Sequence, residues 1–588
     1  DRDFAWLPDD LPTLAPQGYQ IRITPEQVLL MGADAPGLFY AVQTFGQLLD
    51  QVGKNLPTLT ITDAPVYPVR GVMLDVSRGK VPTVDTVLEI VAHLASWKIN
   101  QFQLYIEHTF LWPSHPDIGK KYDALTPEDL LTIDAACADR HIDFVPNLQS
   151  FGHQGHLLQM KQYAHLAETD ARWTLSPAEP GTYTLLDEFY QEFLPNFRSP
   201  LFNIDSDETW DLGKGKSLPM VEEKGLGRVY LEHILRVREL AARYGRRIMF
   251  WGDIILHSPE LIPDIPDDTI VLQWDYAEYP NEAHVRQFAD AGKAFYVCPG
   301  VSTWSAFFPR QQQARGNISR LAQLGVQYGA CGLLNTDWGD GGHYNLQGLS
   351  YYGYAFGAAE SWRPGSTEGF DQTFGRLFYG PDGAAVMDAM RALERVERPL
   401  PETTVMDVPT FHMGFLQGPP YRDTLTQEAV EAMLTGAGHG VALLKRQQGR
   451  TRQPLVIEEL LIAAQQDLLS AEKAALAVPF HRQYTVVQAD NDLGALSALV
   501  RETGHQLRRL AKKAASVPER FAPLWLARAR EAGLADVLEY QLEVPNELEA
   551  SAEWLRHALR TAKRTGLVPA LPERDDNWRP KVAKIQQG

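Results

Sequence analysis

The chain has 588 residues, 55 Lys and Arg against 74 Asp and Glu, and a formal charge of −19. At 44% hydrophobic and 22% charged it has ordinary globular composition, which excludes a largely disordered chain. Its length asks for two or three domains, its acidity argues against nucleic acid or a broad anionic membrane surface as partner, and no apolar run nears the roughly 20 residues that span a bilayer.

Residues 1–66 carry short strand-like runs, Tyr19–Ile23 and Val28–Met31. An amphipathic helix follows from Gly37 to Asp50, with Leu38, Val42, Phe45 and Leu49 expected on its buried face. This reads as a small α+β domain. From Tyr67 to Trp362 the rhythm alternates. Strands are expected at Arg70–Ser77, Gln101–Ile106, Asp143–Leu148, Leu201–Ile204, Arg247–Trp251, Thr269–Trp274, Ala294–Cys298 and Ala330–Asn335. Helical patterns lie between them, among them Thr83–Trp97, Pro127–Arg140, Val221–Tyr244, Asn281–Ala291 and Gln311–Leu324. Eight such units predict a (β/α)₈ TIM barrel over residues 67–369. An open doubly wound sheet is the runner-up, but its Gly-rich phosphate turn is missing. Residues 370–588 show only helical spacing, as in Glu458–Leu476, Leu496–Ala515 and Glu547–Thr565. They read as a helical C-terminal domain that packs on the barrel or mediates a homodimer. Cys137, Cys298 and Cys331 are too scattered for a disulfide framework. The sequence opens at Asp1 with no apolar leader, which leaves cytoplasmic and secreted locations open, the first preferred.

In a barrel of this kind chemistry gathers at the C-terminal ends of the strands. Asp75, Ser77 and Arg78 follow the first strand; Glu107 and His108 the second; Asn147, Gln149 and Phe151-Gly152-His153 the third. The fourth leads into Asp205-Ser206-Asp207-Glu208-Thr209-Trp210. Trp251 and Asp253, then Trp274, Asp275 and Tyr276, then Trp304, and finally Trp338-Gly339-Asp340 complete the circuit. Indole rings make flat walls for the apolar C–H faces of sugars, and ring hydroxyls need charged partners such as Arg78 and Asp340. Packing between barrel and helices explains any one Trp equally well, but not the set. Asp207 and Glu208 are adjacent just past a strand. Burial and a second carboxylate raise a carboxyl pKa, which would keep an acid protonated for glycosidic cleavage. A solvated Asp-Glu pair or a helix cap is the plainer alternative. His153 and His156 are three apart, but no third ligand converges in sequence, so neither a metal site nor any other cofactor is expected.

These residues look familiar as a set. Arg70-Gly71-Val72-Met73-Leu74-Asp75-Val76-Ser77-Arg78, Phe151-Gly152-His153, Asp207-Glu208 and Trp338-Gly339-Asp340 together resemble the family-20 glycoside hydrolases, the β-N-acetylhexosaminidases. The stretch Gly37–Thr44 is similar to the end of that family's small companion domain. The resemblance implies an exo-acting, retaining enzyme in which the substrate's own acetamido oxygen attacks the anomeric carbon and forms an oxazolinium ion. It implies Glu208 as general acid and then base, and Asp207 as the residue that orients the acetamido group. Arg78 would bind the O3/O4 edge and Asp340 would hold O4 or O6. Trp251, Trp274, Trp304 and Trp338 would wall the site, with Glu107 and His153 inside it and Tyr276 as the candidate for the acetamido oxygen. The chain departs from the family where two glycines usually precede the acidic pair; here they are Asp205 and Ser206. Gly79-Lys80 replaces the common His-Phe after the arginine, and Asp340 stands for the commoner Glu. Two other readings stay open from sequence alone: a silent carbohydrate-binding barrel, and a glycosidase with an enzyme carboxylate nucleophile.

Overall fold

The structure, a computed structural model, describes residues 13–397, 414–417 and 425–572. The expected N- and C-terminal units also include residues 1–12, 398–413, 418–424 and 573–588, which lie outside the described set.

Strands β1 (Tyr19–Ile23), β2 (Val28–Gly32) and β3 (Leu59–Asp63) form an antiparallel sheet in the order β2-β1-β3. Tyr19 lies opposite both Gly32 and Asp63. The helix Ala35–Val52 lies across this sheet, its start capped by Asp34, which accepts from the Gly37 amide at 2.8 Å. The buried face of this helix differs from the sequence expectation. Gly37, Tyr40 and Ala41 are buried and Phe45 packs beside them, while Leu38, Val42 and Leu49 point outward at 44%, 48% and 38% exposure. The helix carries two apolar stripes. The sheet takes the one with small residues, because a Cβ on Gly37 would come within 2.3 Å of the Gly18 carbonyl oxygen.

Eight parallel strands follow: β4 (Val69–Asp75), β5 (Gln101–Tyr105), β6 (Asp143–Val145), β7 (Leu201–Asn203), β8 (Arg247–Trp251), β9 (Ile270–Trp274), β10 (Phe295–Cys298) and β11 (Gly332–Asp337). They pair in the order β6-β5-β4-β11-β10-β9-β8-β7. The remaining seam between β6 and β7 is joined by a bridge, with the Asn203 amide donating to the Pro146 carbonyl at 2.9 Å and the Leu148 amide to the Asn203 carbonyl at 3.0 Å. This is a TIM barrel, and the open doubly wound sheet is excluded. β6 stops short of its expected end at Pro146, which has no N–H for the ladder. β7 stops where the backbone turns left-handed at Asp205. The expected helix Val221–Tyr244 is split into Leu218–Lys224 and Leu226–Arg243 by Gly225 at φ +85°.

Alternate strand residues fill the barrel, among them Met73, Tyr105, Val145, Met249, Leu272, Tyr296 and Leu334. At the β6–β7 seam the filling is polar. Gln103 Oε1 accepts from the side-chain amides of Asn147 and Asn203, each at 3.0 Å. Residues on the opposite face of each strand pack under the surrounding helices in a second core.

Beyond the barrel the described residues are helical, in Gly383–Glu397, Gln427–Gln447, Pro454–Asp490, Leu493–Ala514, Val517–Leu526 and Leu534–Thr565. None is long and apolar enough to cross a membrane. Their core takes in Phe307, Tyr344 and Leu346 from barrel loops, and the Tyr344 and Tyr540 rings lie 4.9 Å apart. The segment between the last two helices lies along the loop after β4. Ala529 bridges Pro82, the Thr83 amide donates to the Arg528 carbonyl at 2.9 Å, and the Arg530 amide to the Val81 carbonyl at 2.8 Å. Arg528 pins this junction, 2.8 Å from Glu459 and 2.9 Å from Glu89. Glu459 is fully buried, so removing its cation leaves a carboxyl with little compensation. Arg528→Met should cost about 3 kcal/mol of stability, read from chemical denaturation; a loss below about 0.5 kcal/mol would contradict the pinning role.

Candidate active site

After β7 the backbone runs through an unusual turn. Asp205, Ser206 and Glu208 have φ of +55°, +71° and +47°. None is glycine, and each such residue costs on the order of 1–3 kcal/mol. Surrounding groups hold the turn in place. The Asp205 amide donates to Asn203 Oδ1 at 3.0 Å and the Ser206 amide to Gln149 Oε1 at 2.9 Å. Tyr230 Oη donates to the Ser206 carbonyl at 3.0 Å, the Trp251 indole to Asp205 Oδ1 at 2.8 Å, and the Glu208 amide to Asp253 Oδ2 at 3.0 Å. The turn therefore swings Asp207 and Glu208 onto the same side of the rim, which a continuing strand would not do.

His153 meets both. Its Nε2 lies 3.3 Å from Asp207 Oδ2 and 3.2 Å from Glu208 Oε2. Gly152 makes this approach feasible, since a Cβ there would sit 2.3 Å from the Asp207 carbonyl oxygen. Gln149 Nε2 donates to the other Asp207 oxygen at 2.7 Å. On the far side of the imidazole, Arg78 Nη2 lies 3.3 Å from His153 Nδ1. Arg78 also reaches Glu107 at 3.0 Å, Asp75 at 3.3 Å and Asp340 at 3.9 Å. Its guanidinium lies over Tyr105 at 4.9 Å and Trp338 at 5.8 Å. Tyr105 Oη donates to Glu107 at 2.9 Å.

Arg78, Glu107, His153, Glu208 and Asp340 share one cavity of about 280 Å³. That is near the lower end for small-molecule pockets, and suits a single pyranose ring better than a chain. Asp207 is nearly buried, while half of the Glu208 side chain is open at 51%. The aromatic residues expected as walls do not line this cavity; they form one connected group that meets Arg78 through Trp338. Trp338 donates to Tyr276 Oη at 2.6 Å, and Tyr276 lies 5.1 Å from both Trp274 and Trp304. Trp251 is fully buried beneath Trp338 at 5.9 Å and reaches the site through Asp205 instead of through an open face.

The charges are sorted by their surroundings. Burial raises the Asp207 carboxyl, but His153 and the Gln149 amide outweigh it and hold it below its usual value. Burial would lower His153, yet Asp207 and Glu208 keep its pKa well above that of a free imidazole, so it carries a proton. Glu107, also pushed up by burial, is pulled down to about 2 chiefly by Arg78. The raised carboxyls at the site are instead Asp205, Asp253, Asp75 and Asp340, the last by burial against the pull of Arg78 and His153. Burial, then Asp207, lifts Asp205 well above its usual value and Asp253 to about 8; burial lifts Asp75 to about 7 against the pull of Arg78. The expected elevation from burial and a neighbouring carboxylate thus falls on the flanking carboxyls, and Asp207 departs from it. Among the described residues, ligating atoms of His153, Asp207 and Glu208 lie within 4.8 Å of one another. They are close enough to share a cation, a grouping not anticipated from spacing.

Several site residues were not singled out from sequence. Trp173 lines the cavity, its ring 4.5 Å from His153 and its indole donating to the Glu208 carbonyl at 2.9 Å. Tyr122 lines the part beyond Glu107, beside His108, expected after the second strand, and His156, weighed from sequence only as a metal ligand; the two imidazoles are 3.9 Å apart. Gly533 and Asp536 bring a wall from the C-terminal helices; Gly533 sits so close to the Gly79 carbonyl that a Cβ would overlap it. No motif marks Trp173, Tyr122, Gly533 or Asp536. Trp173 is a lone aromatic in a long loop, and Asp536 resembles any acidic residue in a first helical turn.

Fold and site together define a barrel with an ionised carboxylate and a half-open carboxyl group around one protonated imidazole. Comparison with known proteins agrees. The family model "Glycosyl hydrolase family 20, catalytic domain" matches residues 67–321 and "Glycosyl hydrolase family 20, domain 2" matches residues 2–64, together more than half of the chain. The chain belongs to glycosyl hydrolase family 20. It is 26% identical over 325 residues to a beta-hexosaminidase of Vibrio furnissii, an alignment covering 46% of this chain and 52% of that one. The chain spans about half the length of the curated relatives it matches. Among solved structures, a beta-N-acetylhexosaminidase of Bacteroides fragilis superposes with a TM-score of 0.51 at 20% identity over 62% of this chain and 80% of that one. A chitobiase of Flavobacterium johnsoniae superposes with 0.53 at 16% identity over 93% of this chain and 80% of that one, so the shared fold reaches into the C-terminal helices.

Asp205 supplies a test of the charge sorting. Its carboxyl pKa is higher folded than unfolded, so the folded state holds the extra proton. Stability is unaffected below the unfolded value of about 3.9 and falls as pH rises from there towards the folded value. Asp205→Asn keeps the acceptor for Trp251 and removes this titration. Its thermal stability relative to the parent should climb steadily from pH 4 to pH 7; a flat difference would mean that Asp205 is ionised in the fold.

Proposed function

We propose that the protein is an exo-acting, retaining β-N-acetylhexosaminidase that removes terminal, non-reducing β-linked GlcNAc or GalNAc. The observation that carries this reading is the single imidazole of His153 bridging Asp207 and Glu208 at 3.3 and 3.2 Å, at the mouth of a one-ring cavity. In this reading the sugar enters with its non-reducing edge towards Arg78 and Asp340. The carboxyl group of Glu208, the more open of the two, donates its proton to the glycosidic oxygen as the C1–O bond breaks. The acetamido oxygen forms the new bond to C1, so the positive charge moves to the oxazolinium ring. Asp207, held ionised by His153 and aimed by Gln149, balances the charge on the acetamido nitrogen. Glu208, now a carboxylate, then takes a proton from the water that opens the ring, which restores both the acid and the configuration at C1. An internal nucleophile held in reach replaces one supplied by the protein. Trp274, Tyr276, Trp304 and Trp338, anchored from beneath by Trp251, border the acetamido group and the ring face.

Three measurements bear on this. Glu208→Gln should lower kcat on an acetamido glycoside with a poor leaving group by about 10²–10⁴-fold; near-parental rates would remove Glu208 from the acid role. Asp207→Asn should cost about 10²–10³-fold in kcat, with the effect confined to substrates that carry the acetamido group. A plain glucoside turned over as fast as its acetamido counterpart would point to an enzyme nucleophile instead.

A further inference from the structure

Another large cavity lies away from the acidic pair. It measures about 700 Å³ and forms where the small sheet domain, the barrel helices and the segment after Trp362 meet. It belongs to the other rim of the barrel. Lys98, on its wall, stands just before β5, and the Lys98 carbonyl accepts from Arg70 Nε, near the start of β4, at 2.9 Å. Ala355, Ala358 and Ala359 share one face of the helix Tyr351–Trp362 and leave space that larger side chains would fill. Trp97 and a ladder of Phe370, Phe374 and Phe378 give the cavity an apolar lining. The three phenylalanines recur every fourth residue, stacked with ring centroids 5.8 and 4.9 Å apart, so the lining extends over two helical turns, about 12 Å.

Lys98 adds a charge to this lining. It follows the helix Val84–Ser96 at the position where its own amide bonds the Ala95 carbonyl and the Ile99 amide the Leu94 carbonyl, both at 3.0 Å. Glycine is the usual residue there, and Lys98 holds a strained φ of +64° instead. Among the described residues its ammonium makes a single long hydrogen bond, 3.4 Å to Tyr19 Oη, and lies over the Trp362 ring at 4.8 Å. The Asp63 carboxylate that attracts it is already engaged by the Trp362 indole at 2.9 Å and Arg363 at 2.7 Å. Burial pushes the Lys98 pKa down to about 8, which still leaves it charged at neutral pH.

We propose that this cavity binds a single-chain alkyl carboxylate, its chain along the phenylalanine ladder and its carboxylate on the Lys98 ammonium. The ammonium gains an anionic partner, and the chain removes aromatic and alanine surface from water. The volume falls within the usual range for small-ligand sites. Because the cavity and the acidic pair occupy opposite rims, this binding is independent of the reaction proposed above.

Isothermal titration of the full chain at pH 7 with decanoate and with 1-decanol tests this. The parent should bind decanoate about tenfold more tightly than the alcohol. Lys98→Gly suits the left-handed backbone and removes the ammonium; it should erase that preference while leaving the decanol affinity within about twofold. Ala359→Phe keeps Lys98 and fills the cavity, and should weaken both ligands about tenfold or more. A parent that binds no decanoate overturns the proposal. So does a Lys98→Gly variant that keeps the preference for the carboxylate, or an Ala359→Phe variant that binds decanoate as the parent does.

Discussion

The left-handed turn after β7 is the constraint on which the rest of the site depends. Three non-glycine residues within four positions take a conformation that L-amino acids avoid, and only the groups around them make it affordable. Asn203, Gln149, Tyr230, Trp251 and Asp253 each bond to the turn, and they come from different strands and helices. The barrel must close before these partners meet. Glycine in place of Asp205 and Ser206 would relax the backbone but would give up the hydrogen bond that the Trp251 indole donates to the Asp205 carboxyl. The chain thus exchanges conformational ease for a buried side chain that ties the acidic pair to the aromatic group.

The same turn explains why the charges are sorted as they are. Many carboxyls crowd the rim, and water cannot solvate them all. Arg78 and His153 supply the cationic centres and each holds one carboxyl below its usual value: Glu107 beside Arg78, Asp207 beside His153. One layer further back, Asp205 accepts from the Trp251 indole and Asp253 from the Glu208 amide, and burial raises both carboxyls. Lysine in place of Arg78 would break this arrangement, because one guanidinium spans Asp75, Glu107 and the imidazole together.

Much of this was legible in the sequence. Parallel strands buried on both faces read as short apolar runs, so all eight barrel strands were located within a few residues of their ends, and the polar residues just past them mark the rim. The acidic pair, Arg78, His153 and the aromatic set were visible for the same reason. The face of the Ala35–Val52 helix was not, because both of its stripes are apolar and the choice turns on how near Gly37 comes to the sheet. That Asp207 is held low was not visible, because spacing shows proximity but not which group faces the imidazole. Trp173, Gly533 and Asp536 left no signal, because long-range folding alone brings them to the cavity.

That last feature bears on how the molecule is made. Thr83 and Arg528 meet across 445 residues of sequence, and the wall beside them is synthesised after the whole barrel. A barrel emerging first folds with one flank of its mouth unroofed, its acidic groups facing open solvent. The cavity is thereby completed only once the C-terminal helices have been made, and a product truncated before them keeps Asp207 and Glu208 but lacks this wall.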